Sequence, residues 1–262
     1  GSVEVEDYTM SEEEAIAFRH GFVRPFNLSK DRLFRLAVIH TEKALYLYCD
    51  IHHLVCDGYS YDLFIHEICD LMDGKEIEPE MCSYNQFVTE QKAAEQSKAF
   101  AEDAEFFKKS LGEVEEITEL APDLTNPRPQ GENGRVWAPI VWDDAEQLAK
   151  QQGVKPSAVL LSAVFYSLAR FSGNDHVCIT TISNGRSNLK VANTMGMFVN
   201  TLALSSKIGS QRVQEFLHES ADTFEQTLAH ENYPFARIAA DVGLKADIMF
   251  AYQMGVLSDY RV

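Results

Sequence analysis

The sequence predicts an α/β fold with a substantial sheet in each half of the chain. Runs of β-forming residues alternate with amphipathic helical patterns along the whole length, which is typical of layered α/β proteins. The segment "APDLTNPRPQGENGR" (121–135) holds three of the eight prolines and separates the two halves. With 262 residues, the chain is long enough to bury apolar side chains in both halves.

The first half begins with a helix signal and continues with a hairpin signal. Ser11 and Glu14 have the spacing of a capping box, so a short helix is expected to start there. The runs "FRLAVIH" (34–40) and "ALYLYCDI" (44–51) are rich in β-forming residues and are separated by "TEK". They predict two antiparallel strands, the second of which leads directly into two histidines.

Further helices are expected wherever apolar residues recur at the spacing of one helical face. After Asp57-Gly58 this pattern runs to about Gly74, and residues 84–111 predict one longer helix with an acidic face. In the second half, helices are predicted at 143–152, at 156–171, from Val213 to Leu228 and after Pro234. Strands are predicted there at 136–142, 176–183, 196–206 and 246–254.

Composition disfavours several classes of function. A formal net charge of −17 disfavours binding to nucleic acids or anionic membranes, which require local positive charge. No apolar run approaches the length of about 20 residues that a membrane-spanning helix needs, and the N-terminus lacks a signal-peptide pattern. The five cysteines are scattered and form no C-x-x-C pair, which favours reduced thiols and a cytoplasmic protein.

The strongest chemical signal is "HHLVCDG" (52–58), at the end of the second predicted strand. Histidine is the usual general base near neutral pH, and His53 is the candidate here. Gly58 would let a substrate approach the backbone closely. Asp57 has the position of a cap for the following helix, which is a purely structural role.

Two other kinds of chemistry compete at this motif. His52, His53, Asp57 and His66 could bind a metal ion, although adjacent histidines on a strand point to opposite faces. Cys56 could act as a thiol nucleophile with a neighbouring histidine as base, but no surrounding residue marks it as activated. The sequence contains neither a G-x-S-x-G elbow nor a G-x-x-x-x-G-K-[ST] phosphate loop.

"HHLVCDG" resembles the H-H-x-x-x-D-G motif of the condensation domains of nonribosomal peptide synthetases, members of the chloramphenicol acetyltransferase-like acyltransferase superfamily. Other segments resemble the remaining motifs of that family in their order. They are 22–39, 83–91, 104–113, 182–204 with its Gly-Arg and G-M-F-V-N-T elements, 230–243 with "HENYPF", and 247–253 with "DIMFAYQ".

The resemblance implies two chloramphenicol acetyltransferase-like lobes, each a mixed sheet packed with helices. The family's opening Arg-His-Glu-x-x-Leu-Arg motif is missing, and the chain stops soon after "DIMFAYQ", so both lobes are expected to be incomplete. Residues 1–120 would form the C-terminal part of the first lobe and 136–262 the N-terminal part of the second, with 121–135 as the linker between them.

The resemblance also implies a role for each motif residue. His53 would act on the attacking amine, and His52 would point away and pack. Asp57 would be salt-bridged to Arg186, the Gly58 amide would bind the oxyanion, and Gln253 would line the acceptor side.

The implied activity is amide formation between two substrates held on donor and acceptor carrier proteins. Their phosphopantetheine arms come with these partners, so the chain itself would bind neither a cofactor nor a metal. Adjacent synthetase modules would be further partners, and the chain would be monomeric. A non-catalytic carrier-docking remnant and another acyltransferase of the superfamily remain alternatives, and epimerisation is weakened because 180–188 lacks a glutamate.

Overall fold

The structure is a computed structural model that describes residues 3–112, 118–120, 134–244 and 247–252. These residues form two compact units. The first comprises the described residues up to Gln86 together with Asn188–Phe198, and the second comprises Phe87–Ser187 together with those from Val199 onward. Each unit contains a three-stranded mixed sheet packed with helices, which confirms the predicted fold class.

The first unit is built on a sheet with the strand order β1-β2-β3. Its elements are β1 (Val5–Thr9), α1 (Glu12–Phe22), β2 (Phe34–His40), β3 (Leu45–Ile51) and α2 (Gly58–Met72). Strand β1 runs parallel to β2, and β2 pairs antiparallel with β3, with Phe34 opposite Ile51. The predicted hairpin is therefore confirmed, and its second strand ends next to the two histidines.

Helix α1 begins at the predicted capping box. The Ser11 amide donates to Glu14 Oε2 (2.9 Å), and the Glu14 amide donates to Ser11 Oγ (3.3 Å). The Tyr48 hydroxyl of β3 donates to the Ala15 carbonyl (2.7 Å), and the Tyr48 ring contacts that of Phe22. These contacts hold α1 on one face of the hairpin.

The second unit is built on a sheet with the strand order β5-β4-β6. Helix α3 (Tyr84–Ala94) contains the division between the units along the chain. The elements that follow are α4 (Lys98–Leu111), α5 (Trp142–Gln152), α6 (Pro156–Ser172), β4 (His176–Ser183), β5 (Asn200–Lys207), α7 (Val213–Ala229), α8 (Phe235–Val242) and β6 (Met249–Phe250). Strand β4 pairs antiparallel with β5 and parallel with β6.

Helices cover both faces of this second sheet. Ile179 and Leu204 pack with Phe165 of α6 and Phe216 of α7. Cys178 belongs instead to a cluster that contains Phe107 of α4 and side chains of α8. Because both faces of β4 are buried, its sequence is a nearly continuous apolar and threonine run without polar alternation.

Two sequence predictions about elements were wrong, and one strand was not predicted. The single helix expected at 84–111 is two helices, because Ser97 caps the start of α4 with its side chain. The strand expected at 136–142 is not part of either described sheet. Pro139 lacks an amide donor for a ladder, and the Val136 and Trp137 side chains are exposed. Strand β1 was missed because its residues are mostly exposed and do not alternate between apolar and polar.

Two predicted strands are shorter than expected. The strand expected at 196–206 begins at Asn200, and among the described residues of 246–254 only Met249–Phe250 pair as a strand. The described residues of 87–120 belong to the second unit, together with most of the second half of the chain. Most of the expected linker at 121–135 lies outside the described residues. The lobe boundaries that the resemblance implies therefore stay predictions.

Candidate functional site

The two histidines lie in a tight turn between β3 and α2. The His52 amide donates to the Leu33 carbonyl (2.9 Å), which continues the strand by one residue. The Val55 amide then donates to the His52 carbonyl (3.0 Å), which closes a four-residue turn. His53 occupies the second position of this turn and is exposed.

The hydrogen bond of the His53 side chain defines its tautomer. Its Nδ1 lies 2.9 Å from the carbonyl oxygen of Cys56. A carbonyl oxygen can only accept, so this contact requires the hydrogen on Nδ1 and leaves the lone pair of the neutral ring on Nε2. His53 therefore presents a basic nitrogen from a ring that the turn itself orients.

His52 takes the opposite tautomer. Its Nδ1 accepts a hydrogen bond from the Leu54 amide (3.1 Å), so the hydrogen of the neutral ring is on Nε2. The ring is half-buried and stands at 81° to the ring of Phe26, with 5.8 Å between the centroids. His52 thus packs against the protein and supports the turn.

Asp57 is buried, with a relative exposure of 2%. Its Oδ1 accepts from the Ser60 amide (2.8 Å) and caps α2, as the sequence predicts. Its Oδ2 accepts from the amide of Phe198 (2.9 Å), which lies 141 residues away in the sequence. Asp57 therefore joins the start of α2 to the returning segment 188–198 of the same unit.

Ser60 and Gly196 strengthen this junction; the sequence analysis gave Ser60 no role and named Gly196 only as part of the G-M-F-V-N-T motif. The Ser60 hydroxyl donates to the Gly196 carbonyl (2.7 Å) and accepts from the Gly196 amide (3.0 Å). A β-carbon built on Gly196 would lie 2.6 Å from Cε2 of the Tyr84 ring. Only glycine fits this position, and the available signal was the glycine of the G-M-F-V-N-T motif.

Tyr84 closes the junction from the other side. Its hydroxyl donates to the Met197 carbonyl (2.9 Å), and its ring contacts the Phe198 ring at 5.2 Å between centroids. Burial and the negative charge of Asp57 raise the pKa of Tyr84 above the ordinary tyrosine value. The hydroxyl thus keeps its proton and remains a donor.

Gly58 is the first residue of α2 and is exposed. The first amides of a helix have no partner within the helix, so this end can bind a negative oxygen. A β-carbon on Gly58 would meet no atom within 4 Å, so the packing of the protein does not require glycine there.

The remaining predicted site residues are not all in the first unit. Arg186 belongs to the second unit, where it is buried in the turn after β4 and its amide donates to Asn184 Oδ1 (3.1 Å). Asp57 belongs to the first unit, and its ion pair with Arg186 stays a prediction. Gln253 lies outside the described residues.

The structure also places the residues of the competing sites. His66 Nδ1 lies 2.9 Å from the Asp62 carbonyl of its own helix, and the Cys56 thiol donates to the Asp57 carbonyl (3.4 Å). Within the described ranges, no group of three His, Cys, Asp or Glu side chains is arranged to hold a metal ion. No helix in these ranges is long and apolar enough to span a membrane.

Two relatives of this chain are synthases by name. It is 29% identical to tyrocidine synthase 2 of Brevibacillus parabrevis over 255 residues. The aligned region covers 94% of this chain and 7% of that protein. It is also 30% identical to surfactin synthase subunit 1 of Bacillus subtilis (strain 168) over 238 residues. That alignment covers 88% of this chain and 7% of the relative.

Solved structures share the fold. The condensation domain of the monacolin K polyketide synthase MokA matches with a TM-score of 0.77 at 16% identity, over 96% of this chain and 60% of that one. The four-domain nonribosomal peptide synthetase AB3403 matches with a TM-score of 0.77 at 20% identity, over 97% of this chain and 21% of that one. This chain thus spans a small fraction of the curated relatives and about three fifths of the MokA domain.

The family model described as "Condensation domain" matches residues 2–257, which is nearly the whole chain. This match, together with the histidine turn and the shared fold, decides the assignment: the chain belongs to the condensation-domain family.

Proposed function

We propose that this domain forms an amide bond between a donor acyl or peptidyl thioester and the amine of an acceptor, both held on carrier proteins, in nonribosomal peptide synthesis. The observation that carries the proposal is the exposed His53 ring. Its Nδ1 hydrogen is bound by the Cys56 carbonyl, so the lone pair of the neutral ring is on Nε2. A base of this kind suits the deprotonation of an attacking amine. The synthetase relatives support the same reaction class.

In the proposed reaction, the acceptor nitrogen attacks the carbonyl carbon of the thioester. His53 Nε2 takes a proton from the attacking amine, the C–N bond forms, the C–S bond breaks, and the proton passes to the departing thiolate. Since a thioester is already activated, approach and orientation of the two substrates supply much of the acceleration. The amide of Gly58, at the start of α2, would donate to the tetrahedral oxyanion.

Asp57 and Arg186 are proposed as structural partners of this site. Both side chains are buried, and an ion pair between them would cost about 3–5 kcal/mol to break from one side. Substitution of either residue could therefore mimic a catalytic loss. Gln253 is proposed to line the acceptor side.

The proposed partners are donor and acceptor carrier proteins and the adjacent synthetase modules. The phosphopantetheine arms of the carriers are part of the substrates, so the domain itself would need no cofactor. Within this proposal the domain acts as a monomer.

The test is His53→Ala in the synthetase that contains this domain. Amide formation should fall at least about 100-fold, because a general base contributes that much or more, with the circular dichroism spectrum unchanged. His66→Ala is the matched control, since His66 is an exposed histidine on α2 whose Nδ1 faces the Asp62 carbonyl of the same helix. Retained turnover in His53→Ala would contradict the catalytic assignment.

A second candidate function is carrier or protein binding without catalysis. The X-domain from teicoplanin biosynthesis shares the fold, with a TM-score of 0.74 at 16% identity, and its complex with OxyB has been solved. Binding of loaded carrier proteins without any turnover would favour this function, and measurable amide formation would exclude it.

A further inference from the structure

Arg35 contacts two backbone carbonyls of the loop between α1 and β2. Arg35 of β2 donates from Nη1 to the Arg24 carbonyl (2.8 Å) and from Nη2 to the Pro25 carbonyl (3.2 Å). Its Nη1 also contacts Asp50 Oδ2 at 2.5 Å, and Asp50 is the cross-strand neighbour of Arg35 on β3. Since the two side chains are only 12% and 13% exposed, the guanidinium group is a fixed anchor.

The Arg35 guanidinium group also packs on the ring of Phe26. The Arg35 guanidinium carbon lies 3.7 Å from the centroid of the Phe26 ring, which is a close cation–π contact. Phe26 belongs to a loop without regular secondary structure, and the neighbouring Val23 and Leu28 are 65% and 57% exposed. Phe26 itself is therefore outside any helix or strand, and the guanidinium group that packs on its ring comes from strand β2.

Phe26 in turn contacts the histidine turn. Its ring meets the His52 ring nearly edge-on, and His52 shapes the turn through its amide, its carbonyl and its Nδ1. A rotated His52 ring would lose the Leu54 amide and loosen the turn that fixes the Cys56 carbonyl against His53. Phe26 is thus linked to the His53 turn through the His52 ring.

We infer that Phe26 is a positioning residue for His53, which acts through His52 and is itself held by Arg35. The catalytic part of this inference rests on the proposed function, since it assumes that His53 is the base. The structural part concerns only the tautomers of the two histidines and can be measured without any substrate.

The structural test uses long-range ¹H–¹⁵N correlation spectra of the 262-residue chain with ¹⁵N-labelled histidine, at about pH 8.5, where a histidine of ordinary pKa is neutral. In the unsubstituted chain the hydrogen should be on Nδ1 of His53 and on Nε2 of His52. In Phe26→Leu both rings should lose this preference and show averaged nitrogen shifts. Phe26→Tyr, which keeps the ring, should restore the original pattern.

Two further variants complete the spectra. Phe18→Leu is the control, because Phe18 contacts Tyr48 at 5.7 Å between centroids in the same unit; it should lower stability and leave the histidine tautomers unchanged. Arg35→Lys tests the anchor if Phe26→Leu does not fold, because an ammonium group cannot replace the two-carbonyl fork. Unchanged tautomers in Phe26→Leu, or in Arg35→Lys if Phe26→Leu does not fold, would overturn the inference.

The catalytic test compares the same variants in the synthetase. Phe26→Leu should lower kcat by about 10- to 100-fold with little change in KM, since a misplaced base affects the chemical step, and Phe26→Tyr should recover most of it. An altered tautomer with normal kcat would overturn the positioning role. If His53→Ala kept full turnover, the proposed function would fail while the tautomer result could still hold.

Discussion

At the scale of single residues, the space beside Gly196 limits which side chain can occupy that position. A β-carbon there would overlap the Tyr84 ring, which is itself fixed by its bond to the Met197 carbonyl. We expect Gly196→Ala to lower the free energy of unfolding by about 1–3 kcal/mol, the usual cost of overpacking. Urea unfolding monitored by circular dichroism measures this change.

Gly21→Ala is the matched control for that substitution. Gly21 lies within α1, and a β-carbon on it would meet no atom within 4 Å, so alanine should be neutral or stabilise by about 0.5–1 kcal/mol. Equal stability of Gly196→Ala and the unsubstituted chain would show that the Tyr84 ring yields at little cost.

Asp57 shows how far residue-scale prediction could reach. The sequence placed Asp57 before a helix, and its capping bond to Ser60 follows from that local pattern. Its bond to the Phe198 amide could not be predicted locally, since the partner is 141 residues away. The same limit applies to Ser60, whose partner Gly196 is equally remote.

At the scale of elements, one serine divides the helical stretch after Tyr84. The Ser97 side chain accepts from the Phe100 amide (3.2 Å) and starts α4, so α3 and α4 are separate helices. We expect Ser97→Ala to cost about 1 kcal/mol, because it removes this cap. Thermal unfolding followed by circular dichroism measures the loss.

Ser97→Asp should retain most of the stability, because a carboxylate caps a helix start as well as a hydroxyl does. If Ser97→Ala melted at the same temperature as Ser97→Asp, the cap would contribute nothing and the division between α3 and α4 would need another cause.

Helices and strands could be predicted from the sequence where their burial produces a clear pattern of apolar residues. Strands β3 and β4 lie against packed helices, β2 buries Ala37 and Ile39, and the apolar patterns of all three strands predicted them closely. Strand β1 is mostly exposed and was missed, whereas the apolar segment 136–142 was wrongly assigned as a strand. Apolar content alone does not create a strand, because a strand also needs a partner for its backbone.

At the scale of the whole molecule, burial in the core of the second unit determines how readily the Cys178 thiol loses its proton. Burial raises the pKa of the Cys178 thiol to about 11. Since the folded state keeps this proton more tightly than the unfolded state, its contribution to stability is full below pH 9 and is lost as the pH rises through about 11. We expect Cys178 to react slowly with iodoacetamide at about pH 8, because the thiolate is the nucleophile.

Mass spectrometry of alkylated peptides measures this reaction, with the urea-unfolded chain as control. The unfolded chain should be labelled at Cys178 at an ordinary thiol rate. Rapid labelling of the folded chain would show that the thiol is accessible and that β4 is less well covered than the structure indicates.

The sequence by itself determined the α/β class, the strand–turn–helix that carries His53, and the excess of acidic residues. Each of these is encoded locally, in apolar periodicity, capping residues and composition. Only the tertiary structure decided that segment 196–198 returns to the start of α2 and that Phe26 and Arg35 support the histidine turn. Those contacts depend on the path of the chain between distant segments, which the local pattern on either side does not specify.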